Sequence, residues 1–264
     1  MAEMMNEKKD RALKRGAGLL LPISSLPSPY GIGTLGKEAY KFVDYLVEAG
    51  QKYWQVLPVG PTSYGDSPYQ SFSAFAGNPY FIDLDYLVEE GLITKAQIKK
   101  FPWGDNAEYI DYATVYGSRF QILRMAFNNS TYAETQEYAQ FEKDNEYWLD
   151  DYSLYMAVKF KFDNQEWSKW DYDIKARQPE AIDRYKEELK DDIAFWKFCQ
   201  FKFFEQWNKL RVYANESGIE IIGDIPIYVA MDSADVWAHK DLFELDEDFE
   251  QINVAGVPPD AFSE

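Results

Sequence analysis

Histidine and cysteine are almost missing from this sequence: one His239 and one Cys199 in 264 residues. A single cysteine excludes an internal disulfide framework and suits a reducing compartment. One histidine argues against His-rich metal sites, and no G-x-S-x-G elbow is present to partner it in a Ser-His-Asp arrangement. His239 therefore reads as structural. Basic residues are outnumbered, with 27 Lys and Arg against 45 Asp and Glu, for a formal net charge of −18. With no Lys/Arg-rich block to offset it, this charge opposes binding to nucleic acid or anionic lipid. No stretch approaches the run of about 18 apolar residues that a membrane helix needs, and the charged N-terminus has no apolar signal region. The expectation is a cytoplasmic protein.

Aromatic residues are abundant, at 17% of the chain, including 8 Trp and 20 Tyr. Rings fill cores and also offer flat faces to ligands. Apolar content of 46% is enough for a substantial core in one large α/β domain or two smaller ones.

Three apolar runs read as strands: Ala17 to Pro22, Tyr53 to Val59 and Glu220 to Val229. Continuous rather than alternating apolar character predicts parallel strands buried on both faces. Between the first two, Ala39, Phe42, Val43 and Leu46 follow helical spacing and Gly50 supplies a stop. Residues 86–190 carry helical patterns rich in aromatics and charge, read as an inserted helical subdomain. Residues 191–217 read as a crossover helix with Ile193, Trp196, Phe203, Trp207 and Leu210 on one face, and with Lys197, Lys202, Glu205 and Lys209 largely off it. Strand, loop and helix units of this kind suit part of a (β/α)8 barrel, and pattern alone leaves a doubly wound sheet open.

Gly31-Ile32-Gly33-Thr34-Leu35-Gly36 matches the dinucleotide fingerprint G-x-G-x-x-G. Its context contradicts that use. Eight residues, Ile23 to Tyr30, separate it from the preceding strand, and the second strand ends without a carboxylate for a ribose. The segment from Pro58 to Asp85 is more informative, because it follows a strand and mixes turn formers with clustered Tyr, Ser, Asp and Gln. Rings that stack on sugars beside hydroxyls and carboxylates that bond their rims would make a polar-ligand site. A packed surface loop is the equal alternative from the residues alone.

Three runs, GLLLPISSLPSPYGIGTLG, YWQVLPVGPTSYGDSPYQSFSAFAGNPYFIDL and EIIGDIPIYVAMDSADVWAHKDLF, resemble in this order the N-terminal signature of the amylomaltases of glycoside hydrolase family 77. The likeness is densest at 18–85 and 218–264. It implies an α/β fold, a partial (β/α)8 barrel of the α-amylase type comprising its first three strands, with 1–85, 86–190 and 191–264 as successive parts. It implies transfer of α-1,4-glucan segments between maltooligosaccharides with retention, and no cofactor or metal. Position by position, Tyr69 resembles the tyrosine that stacks at the cleavage subsite, with Ser67 and Asp66 beside it. Tyr64 resembles a glucan-contacting aromatic near the groove. Asp224 resembles the aspartate at the end of the third barrel strand, which supports the catalytic subsite. Asp232, Asp235, Trp237 and His239 match the stretch after it and read as structural support. The run GVPPDAFSE, ending at Glu264, resembles the start of a loop over the donor groove, with Asp260 and Phe262 matching and Ala261 standing where some members carry a tyrosine.

In this family the nucleophile lies in an Arg-x-Asp-His-Phe-Arg-Gly type motif on the fourth strand, and no such motif occurs here. No arginine follows Arg211. The expectation is therefore that the nucleophile and the acid/base lie beyond Glu264, so that no residue of this chain is catalytic and it contributes substrate-binding surface without turnover. A non-catalytic glucan-binding fragment is the alternative.

Overall fold

The computed structural model describes residues 14–63, 65–106, 108–254 and 256. Among them are ten α-helices and one sheet of three strands. The strands are β1 (Gly18–Leu20), β2 (Tyr53–Gln55) and β3 (Glu220–Ile222), parallel and in the order β1-β2-β3. Leu19 pairs with Trp54 and Trp54 with Ile221. All three lie where the apolar runs predicted them, but each is shorter.

The expectation of burial on both faces is corrected. Only β2 is buried, through Tyr53 and Trp54; β1 is exposed and β3 only half-buried. The reason is position: β2 is central and packs against α1 (Lys37–Glu48), while the outer edges of β1 and β3 pair with no described strand. Leu20 is 55% exposed and Ile227, beyond β3, is 85% exposed. Residues 223–230 leave the sheet as irregular backbone rather than continuing it.

Helix α1 buries Ala39, Val43 and Leu46 of the stripe its spacing predicted, and leaves the fourth member, Phe42, half-buried. Full burial of a Val or Leu side chain contributes about 1.5–3 kcal/mol, so this face fixes the helix on β2. The indole N–H of buried Trp54 donates to the Leu21 carbonyl at 2.9 Å, leaving no unpaired donor on that ring in the core. The glycines of the fingerprint-like run follow a 3-10 turn at Ile23–Ser25 in the long connection from β1 to α1, and only Gly36 meets the helix, as its N-cap, so they do not form a tight turn directly after the strand.

The helical stretch begins with α2 (Leu84–Glu89) and α3 (Lys95–Ile98), capped by Asp83 and by a Thr94/Gln97 capping box. Then come α4 (Tyr112–Asn128), α5 (Gln136–Asp144), α6 (Glu146–Lys161), α7 (Tyr172–Lys175) and α8 (Pro179–Glu188). The long α9 (Lys190–Glu216) leads to β3, and α10 (Ala234–Ala238) follows it.

Helix α9 packs along α6 on one side and against α1 on another, with Phe203 closing on the backbone at Gly77. This two-sided packing corrects a second expectation. Lys202, placed off the apolar face by spacing, is buried; its ammonium is held by Glu90 at 2.7 Å and Glu205 at 2.9 Å.

Candidate functional site

After β2 the chain makes a closed excursion. Thr62 and Ser71 form an antiparallel bridge, and the Ser63 carbonyl accepts the Asp66 N–H at 3.1 Å across a tight turn. Gly65 (φ 93°) and Asp66 (φ 57°) both adopt the left-handed backbone the turn requires. Asp tolerates that conformation better than most residues, and Gly does so freely. Tyr69 stands on the returning arm, its N–H directed to the Ser67 hydroxyl at 3.3 Å.

The rest of the loop is pinned. The Asp235 carboxylate accepts the Ala74 N–H at 2.9 Å, and the Ala234 N–H donates to the Phe72 carbonyl at 2.8 Å. Buried Gln200 on α9 clamps both sides of one residue: its Oε1 accepts the Gly77 N–H at 2.7 Å and its Nε2 donates to the Gly77 carbonyl at 2.9 Å. Gly77 is required there, because a Cβ would lie 1.9 Å from the Phe203 ring. Gln206, farther along α9, makes the same two-point contact with Asp83.

These anchors deliver Tyr69 to Asp224. The Tyr69 hydroxyl donates to Asp224 Oδ2 at 2.8 Å, while Asp224 Oδ1 accepts the Ile225 N–H at 2.8 Å. The bond to Asp224, with a smaller contribution from desolvation, pushes the Tyr69 hydroxyl above the ordinary tyrosine range. It therefore stays a donor throughout the neutral range. The Tyr69 ring is 45% exposed, free to meet a ligand with its face while its hydroxyl is held.

A cavity of about 890 Å³ is walled in part by the same loop but by neither member of this pair. Asp66, Phe72, Tyr112, Tyr116, Lys159 and Asp232 are among its walls. The predicted group is thus divided: Tyr69, Asp224 and Ser67 stand together, Asp66 faces the cavity, and burial raises its carboxyl above the usual range. Tyr64, Asp260 and Phe262 lie outside the described residues, as does Ala261. Glu264, beyond which the nucleophile and the acid/base were expected, lies outside them too, so the structure offers no geometry for that expectation.

Asp232 and Asp235 brace the site. Asp232 accepts the Lys159 ammonium at 2.6 Å and the Tyr155 hydroxyl at 2.6 Å, joining the segment after β3 to α6. Sequence reasoning missed Lys159 and Tyr155, although a lysine inside the apolar run YMAVKF was a visible signal. His239 is exposed, its backbone N–H ending α10 on the Asp235 carbonyl. Among the described residues no group of three or more His, Cys, Asp or Glu is placed to hold a metal ion.

The same segment carries a pH-sensitive lysine. Lys240 sits 5.1 Å from the ring centres of Trp167 and Phe249 and donates to the Trp237 carbonyl at 2.8 Å. Burial first, then the neighbouring Arg177 and Lys175, push its ammonium down to about 8. Between that value and the ordinary 10.5 the unfolded chain holds the extra proton, so this group's contribution to stability rises with pH. The urea midpoint of the wild type should gain on that of Lys240→Met between pH 7 and 9. Cys199 and the buried tyrosines titrate alike in both chains and drop out of the difference.

The parallel α/β frame, with an aromatic-carboxylate pair set beyond the ends of its strands, defines the structural class of the chain. Comparison narrows this class. The family model described as 4-alpha-glucanotransferase (Glyco_hydro_77) matches residues 21–264, and the chain belongs to that family. It is 55% identical to the 4-alpha-glucanotransferase of Clostridium butyricum over 92% of this chain and 50% of that protein. With the 4-alpha-glucanotransferase of Thermus thermophilus the identity is 47%, over 96% of this chain and 50% of that one. Among solved structures, amylomaltase from Streptococcus agalactiae in complex with acarbose superposes with a TM-score of 0.90 at 44% identity, over 95% of this chain and 51% of that chain. The chain spans about half the length of the curated relatives it matches.

Proposed function

We propose that these 264 residues form the glucan-recognition part of a 4-α-glucanotransferase that moves α-1,4-glucan segments between maltooligosaccharides. The carrying observation is the Tyr69–Asp224 bond, which joins the loop after β2 to the end of β3 across 155 residues of sequence. A sugar ring stacked on Tyr69 would have the Asp224 carboxylate within reach of its hydroxyls. The kinship with an amylomaltase solved in complex with acarbose supports this ligand class.

Retaining transfer needs two carboxyl groups roughly 5–5.5 Å apart, one nucleophile and one acid that becomes base. In this chain Asp224 is occupied by Tyr69 and Ile225, which suits a residue that orients the sugar rather than attacks it. With no Arg-x-Asp-His-Phe-Arg-Gly type motif in the sequence, the reading assigns recognition to the residues up to Glu264 and leaves the covalent step to others. The transfer chemistry asks for no cofactor.

The finer architecture belongs to the same reading. The three parallel strands are taken as the first of a (β/α)8 barrel, with 86–190 as its inserted helical part. The open edges of β1 and β3, with Leu20 and Ile227 in solvent, are what further parallel strands would cover. No helix of the described residues is long and apolar enough to cross a membrane. With a buried free Cys199 and the acidic charge, a cytoplasmic location without nucleic-acid partners fits best.

Titrating the chain with maltoheptaose tests the reading. Binding is expected, and Tyr69→Ala should weaken it by at least about tenfold, the effect of losing roughly 1.4 kcal/mol at an aromatic anchor. Tyr69→Phe, which keeps the ring and loses the bond to Asp224, should fall between. Equal affinity for all three chains would count against the assignment.

A further inference from the structure

Phe75 and Tyr147 hold their rings 5.4 Å apart, edge to face at 88°. Phe75 is 48% exposed and Tyr147 is 63% exposed. Among the described residues they are the only touching pair of rings in which both are exposed. Beneath them buried Trp148 lies nearly parallel to Phe75, 6.5 Å away at 20°, its indole N–H fixed on the Asn145 side chain at 3.0 Å.

This surface is built rather than loose. The Ser73 hydroxyl accepts the N–H groups of Phe75 and Ala76, and Asp235 holds Ala74, so Phe75 is presented from a backbone fixed on both sides. Tyr147 belongs to the first turn of α6, and Asp150, three residues on, shares its face. The Asp150 carboxylate is itself steadied by Lys197 at 2.5 Å while remaining mostly in solvent. Rigid rings beside an accessible, oriented acceptor are the two elements of sugar recognition, and their fixed geometry lowers the ordering cost of binding.

We propose that Phe75 and Tyr147 form a second glucan platform, separate from the Tyr69–Asp224 pair, which stacks the apolar faces of α-1,4-linked glucose units and offers Asp150 to their hydroxyls. Phe75 is carried by the loop that also carries Tyr69, and Tyr147 by α6. A neutral, hydroxyl-rich polymer also agrees with a chain of net charge −18, which repels anionic partners. The proposal rests on the glucan reading given above and adds a place and residues to it.

The test is calorimetric titration of maltoheptaose into four chains: wild type, Tyr69→Ala, Phe75→Ala/Tyr147→Ala, and the triple variant. The wild type should show two sites, each of the first two variants one, and the triple variant none. Tyr147→Ala alone, at a residue mostly in solvent, should weaken the platform at least fivefold and serves if the double variant loses its native circular dichroism. Unchanged stoichiometry in the platform variants, with the Tyr69-dependent site intact, would overturn the platform and leave the glucan reading standing. No binding by the wild type would overturn both.

Discussion

Asp232→Ala should lower the unfolding free energy by about 3–5 kcal/mol, the cost of stranding a buried charge. Lys159 is 2% exposed, and its ammonium has Asp232 at 2.6 Å and the Gln165 carbonyl at 3.2 Å. Removing Asp232 leaves that ammonium with one neutral acceptor and the ring faces of Phe72 and Tyr155. It also orphans the Tyr155 hydroxyl, on a side chain that is fully buried. Lys159→Met is the informative contrast. Methionine fills much of the same volume, and Asp232 keeps the Tyr155 hydroxyl and the Trp167 N–H while its side chain retains contact with water. That variant should therefore cost less than half as much. For a domain of this size the larger loss corresponds to a melting temperature lower by roughly 10 °C. Urea denaturation of the two variants reads the asymmetry; equal costs would mean that the pair is not the buried, Lys-dominated contact described.

Incubated with maltotriose, the 264-residue chain should release no glucose above the uncatalysed rate. Enzymes of this kind of chemistry accelerate by about 10⁶-fold or more, and that factor comes from groups placed at the reacting carbon. Orientation helps only if the attacking group is among the things oriented. Tyr69 and Asp224 hold one another at 2.8 Å, which on the proposed reading orients a sugar, and the sequence contains no Arg-x-Asp-His-Phe-Arg-Gly type motif to supply the attack. Joining to Glu264 the remaining length found in the relatives should restore disproportionation. In that restored protein Tyr69→Ala should lower kcat/KM, because the lost contact precedes and accompanies the chemistry.

What could be read from the sequence was what depends on neighbours along the chain. The α1 stripe of Ala39, Val43 and Leu46 and the long α9, expected at 191–217 and found at Lys190–Glu216, are set by helical spacing. The strands were placed correctly for the same reason, but their burial was not. An apolar run states a demand for cover, and whether cover exists depends on what packs against it. Leu20 at the edge of the sheet shows the difference. Lys202 failed in the opposite direction, because α9 packs on more than one side and this residue is buried by that packing, its charge met by Glu90 and Glu205.

The site was legible only in part. The residue types of the loop after β2 left a polar-ligand surface and a packed surface loop as equal readings, and no spacing links Tyr69 to an aspartate 155 positions away. Resemblance to the family named the two residues separately, and the geometry supplied both their bond and what braces it. Asp232 with Lys159, Asp235 with Ala74 and Gln200 with Gly77 are contacts between segments far apart in sequence, each made by a side chain that local pattern treats as ordinary. The cavity walls were hidden for another reason: Tyr112 and Tyr116 are two rings among many in an aromatic-rich helical stretch, and Trp196 lies on the apolar face of the crossover helix.

The central claim is that these residues recognise glucan and do not transform it. Equilibrium dialysis of labelled maltoheptaose against the 264-residue chain, with chromatography of the recovered sugar, tests both halves in one measurement. Sugar should be retained and recovered entirely as maltoheptaose, and Tyr69→Ala should lose at least the Tyr69-dependent part of that retention. Failure to retain any sugar, or recovery of shorter and longer oligosaccharides, would contradict it.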